Sequence, residues 1–318
     1  MAGILLLLVA SRCQDASLGK EAIERAAATP TALRGISISL TRHSGDPTTA
    51  YTLQIRGDGV VTRSWPSYYP IRKGENRSSQ TLRLPLSESV VAKLVRSFSS
   101  DEILRLPAQD PWPTPMRYSI ELALTEKARF AAEINDIESS KRPPSDNVSR
   151  VIKGIQSAVD ELQEKIATED AAYLSSERLK GLLKDNASCL SIELRDIQGL
   201  FGGESVLLEG SGEAHAVYVR KPTPGDPGFR VKRQGGKVEG DRCLSTLRLA
   251  IDQGVFEIKK KQRVGVPDEA TPEIELKARV DGVVYSRSVW LFETEAESTP
   301  PFARVREALR GIARALEK

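Results

Sequence analysis

Residues 55–61, Ile55-Arg56-Gly57-Asp58-Gly59-Val60-Val61, decide how this chain is read. Tyr51, Leu53 and Ile55 alternate with polar residues before them, and VVTRS (60–64) continues after them. Period-two alternation on both sides of a Gly-Asp-Gly triplet is the signature of two half-buried strands joined by a tight reversal. The same letters contain Arg56-Gly57-Asp58, a string that on an extracellular hairpin tip suggests adhesion. A second stretch, LEGSGEA (208–214), separates the readings: Glu209-Gly210-Ser211-Gly212 keeps both glycines and drops the arginine and the aspartate. What both places share is what a turn needs, so backbone geometry explains the glycines and adhesion does not.

From these two turns the rest of the chain falls into two similar halves. Before the first turn, GISISLTR (35–42) places Ile36, Ile38 and Leu40 on one face of a strand; TLRLPL (81–86) reads as another. Ser87 caps a helix through SESVVAKLVRSF, DPWPTP (110–115) interrupts, RYSIELALT (117–125) and 127–137 read as a pair of strands, and a helix runs from about Val148 to Ile166. The second half repeats the order. SCLSIEL (188–194), the Gly210 hairpin and FRVKRQ are strands, RCLSTLRLAIDQG is a helix stopped by Gly254, and Asp281-Gly282 joins two more strands before a helix carrying Phe302, Val305, Leu309 and Ile312. Gly57 and Gly210 lie 210 − 57 = 153 residues apart, and Ile152 and Val305 share that offset. The expectation is α+β: two tandem modules over 35–168 and 175–318, each an antiparallel sheet with helices packed on one face, preceded by a linker over 14–34.

Composition bounds the rest. The 318 residues, 40% hydrophobic and 28% charged, suit a folded chain with a core. A net charge of +3 from 46 basic and 43 acidic residues is too slight to point to nucleic acid. Residues 4–10, ILLLLVA, are too few to span a bilayer but match the apolar region of a secretory signal, here residues 1–13. Cys13 at its end could be lipidated, although Arg12 stands where a small residue is expected; a buried strand is the other reading of so short a run. The chain is therefore expected to be exported to the periplasm or cell surface, with a possible lipid anchor and no membrane-spanning helix once the signal is gone. Cys189 and Cys243 then remain as an even pair, either bridged or buried as free thiols.

Arg42, Tyr51-Thr52-Leu53-Gln54-Ile55 and Gly57-Asp58-Gly59-Val60-Val61 resemble a domain of unknown function found in secreted bacterial proteins. The resemblance covers roughly 35–168 and, more faintly, 186–318. It implies strand, Tyr-bearing strand, Gly-Asp-Gly turn and helix, and an envelope setting. Members often carry two cysteines between the arginine and the tyrosine, and HSGDPTTA (43–50) has none, so no activity carries over.

Few residues suggest chemistry. Two histidines, His43 and His215, exclude a multi-histidine metal site, and Gly210-Ser211-Gly212 lacks the strand-to-helix context of a nucleophile elbow. No catalytic residue, metal site or cofactor is expected. Asp268, Glu269 and Glu273 read as a solvated loop, and Lys259-Lys260-Lys261 with Arg263 as a solvated strand face. Trp290 alternates with apolar neighbours and is expected in the core. The candidate binding surface is aromatic: Trp65, Tyr68 and Tyr69 in SWPSYYP (64–70), with Trp112 in a second proline-stiffened loop. The function this favours is non-enzymatic binding or scaffolding in the bacterial cell envelope, on a protein or glycan partner. The alternative is a hydrolase of envelope polymers whose carboxylates converge only in the fold.

Overall fold

The computed structural model describes residues 19–44, 50–66, 77–106, 117–125, 128–135, 146–198, 202–221, 230–258 and 271–317. They form two compact units: of the described residues, 19–65 and 79–162 belong to the first, and Pro66, Arg77, Ser78 and those from Gln163 onward to the second. In the first, α1 (Lys20–Ala28) and α2 (Pro30–Leu33) lead into β1 (Ser37–His43), β2 (Tyr51–Arg56), β3 (Val61–Pro66) and β4 (Arg77–Thr81). Then come α3 (Glu88–Ser97), α4 (Asp101–Leu104), the hairpin β5 (Arg117–Ala123) and β6 (Arg129–Asn135), and α5 (Asp146–Tyr173). The strands build one antiparallel sheet in the order β4-β3-β2-β1-β5-β6.

The second unit repeats this. After α6 (Ser176–Asn186) and a 3-10 turn at Ala187–Cys189 come β7 (Leu190–Gln198), β8 (Gly202–Glu209), β9 (Glu213–Arg220) and β10 (Arg230–Lys237). Next are α7 (Gly240–Asp252), a 3-10 turn at Val255–Glu257, β11 (Glu273–Val280), β12 (Val283–Trp290), α8 (Glu293–Ser298) and α9 (Pro300–Leu316). Its sheet order, β10-β9-β8-β7-β11-β12, is that of the first sheet strand for strand.

Each core lies between one sheet face and the helices. Ile38 and Leu40, Leu53 and Ile55, Ile120 and Leu122 alternate inward from the first sheet; Val91, Val95, Val148, Val151 and Ile155 meet them from α3 and α5. In the second unit Ile192, Leu194, Val206, Leu208, Ile274 and Leu276 face Leu247, Phe302, Val305 and Leu309. Full burial of such a side chain contributes roughly 1.5–3 kcal/mol. The buried stripe Val148, Val151, Ile155, Val159 matches Phe302, Val305, Leu309, Ala313, one residue more in offset than the hairpins. Val305 is thus the counterpart of Val151, not of Ile152.

The turns at Gly57 and Gly210 are one structure made twice. The Gly57 N–H donates to Ile36 O at 2.7 Å and the Gly210 N–H to Leu190 O at 2.8 Å. The Gly59 and Gly212 N–H groups each donate at 2.8 Å, to Arg56 O and Glu209 O. Positive φ falls on the second glycine of each pair, 83° at Gly59 and 88° at Gly212, where an L side chain is strained. Asp58 Oδ1 accepts the N–H of Val60 at 3.2 Å, and Ser211 Oγ accepts that of Glu213 at 3.4 Å. Ser211 therefore serves where Asp58 does, and the arginine of the Arg-Gly-Asp string is ion-paired to its own aspartate.

Four expectations change. Residues 20–33, read as part of a linker, are α1 and α2, with Ile23, Ala27 and Leu33 buried in the first unit; small alanines on a charged helix hid that face. The strand that follows the first hairpin is Arg77–Thr81, the fourth of the first half, and the TLRLPL stretch mostly follows it. The helix expected over 148–166 extends over Asp146–Tyr173, and its last turns belong to the second unit: Tyr173 stacks on Tyr285 with centroids 3.8 Å apart, and Asp170 accepts the Ser286 N–H at 3.0 Å. Trp290 is 38% exposed on the sheet-edge strand β12, edge-on to Phe292; its alternation is real, but it points away from the helices.

Candidate functional site

Trp65 lies on β3, not in a loop beyond the hairpin. Tyr68, Tyr69, Trp112 and Cys13 lie outside the described residues. Trp65 does not stand alone. Arg63 pairs with Leu53 across β2–β3 and so shares the helix-facing side of the sheet; Tyr51 pairs with Arg42 on the same side. The Arg63 guanidinium carbon sits 5.7 Å from the Tyr51 ring centroid and 5.8 Å from that of Trp65, within cation–π range of both. From α5, Gln156 Nε2 donates to the Tyr51 hydroxyl at 2.6 Å and fixes the ring. Arg63 Nε is buried and has no hydrogen-bond partner among the described residues, and no carboxylate there pairs with this guanidinium. A half-buried cation held between two rings, with donors uncommitted, is an arrangement that recognises an anionic or planar group.

The second unit fills the equivalent place with its own charges. The pair Arg42–Tyr51 is matched by Asp196–Glu204, and Leu53–Arg63 by Val206–Ala216. Where Gln156 reaches Tyr51, Arg310 reaches Glu204 at 2.9 Å. Arg310 also bonds Asp196 at 2.8 Å, and Arg306 meets Asp196 at 2.8 Å and Glu293 at 2.8 Å. Asp196 and Arg306 are 2% and 6% exposed, so the pair is desolvated. Burial works against the Arg306 charge, but the hydrogen bonds it donates to Asp196 and Glu293 outweigh it and hold its pKa above the ordinary value. Burial raises the Glu204 carboxyl, with Arg310 opposing, and burial pushes the Tyr218 phenol up to about 12.

Other candidates resolve differently. His43 Nε2 and Ser119 Oγ are 2.7 Å apart on the open face of the first sheet, a serine–histidine contact that sequence spacing does not reveal. Burial and then Arg117 lower the His43 pKa. Among the described residues no carboxylate hydrogen-bonds this imidazole, as orienting it for nucleophilic catalysis requires. Carboxylates do converge in the second unit: Glu193, Glu273 and Glu275 lie 2.8, 3.1 and 2.5 Å from Arg195, with Lys277 3.0 Å from Glu275. Burial alone would lower the Arg195 pKa, but the glutamates raise it. Of the acidic loop only Glu273 is described, and it is a strand residue in this network; Asp268, Glu269, Lys259, Lys260, Lys261 and Arg263 lie outside the described residues.

Cys189 and Cys243 are both free thiols, so the even count is not a bridge. Cys243 Sγ donates to Glu209 O at 3.2 Å beneath the second hairpin. A cavity of about 310 Å³ beside α3 is lined by Lys20, Arg96, Arg150 and the hydroxyls of Ser97, Ser99 and Ser100; it does not include the Arg63 cluster. Among the described residues no helix is long and apolar enough to cross a membrane.

No family model matches the chain, and no curated protein matches it significantly. The arginine in the cluster was missed from sequence because VVTRS reads as an ordinary return strand that ends before Trp65; the strand in fact runs through Trp65, and alternation then puts Arg63 on the same face.

Proposed function

We propose that the chain is an exported, non-enzymatic binding or scaffold protein of the bacterial cell envelope, and that Tyr51, Arg63 and Trp65 of its first unit form the surface that meets its protein or glycan ligand. The observation that carries this reading is Arg63, clasped by two rings with its guanidinium paired to no carboxylate among the described residues. Rigid aromatic groups on strands offer contact area at little entropic cost, and an arginine among them supplies direction. The apolar run at 4–10 and the likeness to secreted bacterial domains support the envelope setting.

The test is co-sedimentation of the full chain with purified envelope fragments. Trp65→Ala and Arg63→Ala are expected to lower the bound fraction while leaving the circular dichroism spectrum unchanged. Retention equal to that of the unmodified chain removes this surface from consideration. Mass spectrometry of the protein recovered from cells reports whether the first residues have been removed.

The second reading, a hydrolase, draws on the convergence of Glu193, Glu273 and Glu275. All three carboxylates are committed to Arg195, whereas acid–base work on a glycosidic bond needs one of the pair to carry a proton. Release of soluble fragments from the same envelope material, abolished by Glu275→Gln, would favour this reading over binding.

A further inference from the structure

We infer that the Arg63 site takes a carboxylate, supplied by the ligand in the place where the second unit supplies its own. This rests on the binding reading above and gives it a chemistry. The two units present one scaffold with opposite solutions. In the second, the strand pair carries Asp196 and Glu204, and the helix answers with Arg306 and Arg310, so these four charges meet one another inside the protein. In the first, the carboxylates are absent from the corresponding positions: Arg42 stands for Asp196 and Tyr51 for Glu204, while the helix offers neutral Ile152 and Gln156 in place of Arg306 and Arg310. The cation has moved to the strand, as Arg63 in place of Ala216.

The geometry around Arg63 suits a flat, two-oxygen anion. Its guanidinium presents donors in a planar fork, which a carboxylate meets with two parallel bonds. Tyr51 and Trp65 stand within 6 Å of the guanidinium carbon, so a ring or chain bearing the carboxylate has an aromatic surface to lie against. Tyr51 accepts from Gln156, which leaves the phenolic proton available as a further donor.

The source of the carboxylate is an acidic sugar or an acidic peptide side chain, and the test separates them. The full chain, labelled with nitrogen-15, is titrated with D-glucuronate, N-acetylaspartate amide, D-glucose and inorganic phosphate while the Arg63 Nε–H resonance is followed, assigned by its loss in Arg63→Lys. At least one carboxylate is expected to move this resonance saturably, at least tenfold more tightly than glucose; the stronger of the two identifies the source. Arg63→Met is expected to weaken that carboxylate at least tenfold, read from the Trp65 indole resonance. A resonance that no carboxylate moves, that phosphate moves while carboxylates do not, or a carboxylate affinity unchanged in Arg63→Met overturns the inference. Glucose binding as tightly as glucuronate, with both lost in Trp65→Ala, overturns it while leaving the aromatic binding surface standing; Trp65→Ala without effect on any probe removes both.

Discussion

The carbonyl of Leu33 lies against Gly57 so closely that a Cβ there would come nearer than the 3.0 Å that real Cβ atoms respect. Ala187 O stands in the same relation to Gly210. In both units, therefore, the segment leading into the first strand crosses directly over the turn, and the absence of a side chain is what lets it. Backbone cannot swing aside as a flexible side chain can. Gly57→Ala and Gly210→Ala are each expected to destabilise their unit by about 1–3 kcal/mol, the range for overpacking. Gly181→Ala, in α6 with open space around it, is expected to stabilise by about 0.5–1 kcal/mol through helix propensity. Urea denaturation of the three variants checks the ordering; a neutral Gly57→Ala would mean that the crossing is loose.

Those glycines also show how far the sequence could be read. Paired Gly-x-Gly turns at a constant offset revealed two similar modules, because a reversal between alternating strands leaves few residue choices. The division of labour between the glycines was not visible, since positive φ at Gly59 and close approach at Gly57 produce the same letter. The stretch 17–28 could be read as a linker helix or a tether; that it packs into the first unit was not visible, because its buried face is built of Ala26, Ala27 and few larger residues. Trp65 was found by its residue type, and Arg63 shares its face once the strand is known to run that far; Tyr51 and Gln156 join them only through strand register and helix phase, which depend on contacts between distant segments.

Asp196 is the carboxylate on which two arginines converge, and it is nearly inaccessible to water. Its removal leaves Arg306 buried with only Glu293 to answer it. Asp196→Ala is expected to cost about 3–5 kcal/mol, the range for breaking a buried pair. Asp196→Leu with Arg306→Met, which removes both desolvated charges, should recover much of that loss. A double variant no more stable than Asp196→Ala, by chemical denaturation, would show that the ion pair itself organises this end of the unit.

Glu204 sets a pH dependence of definite sign. Burial raises its pKa above the ordinary 4.5, against the pull of Arg310. The folded state therefore holds this proton more tightly than the unfolded chain does. Its stabilisation is complete below the ordinary value and is lost as pH rises through the folded pKa. The stability of the unmodified chain relative to Glu204→Gln should be greater below pH 4.5 than at neutrality. A difference that shrinks on acidification would contradict the burial of this carboxyl.

His43 gives the opposite dependence. Burial and then Arg117 lower its pKa below 6.5, with Glu133 opposing, and Ser119 Oγ faces its Nε2. The unfolded chain then binds the proton first, so this stabilisation is present above pH 6.5 and lost as pH falls through the folded pKa. Proton NMR should place the His43 midpoint below 6.5, and Arg117→Met should move it upward. A midpoint that ignores Arg117 would leave burial as the whole cause.

The two thiols differ in access more than in chemistry. Burial raises the pKa of both Cys189 and Cys243, which lowers the thiolate fraction at neutral pH. Cys243 is 1% exposed and donates to Glu209 O beneath the Gly210 turn, whereas Cys189 is half-buried in the 3-10 turn before β7. Iodoacetamide at neutral pH should therefore label Cys189 slowly and spare Cys243 until the second unit unfolds, as read position by position in peptide mass spectra. Gly210→Ala, which disturbs the turn above Cys243, should hasten labelling of that thiol in the absence of denaturant. Equal protection of Cys243 in Gly210→Ala and in the unmodified chain would mean that the turn and the thiol beneath it open independently.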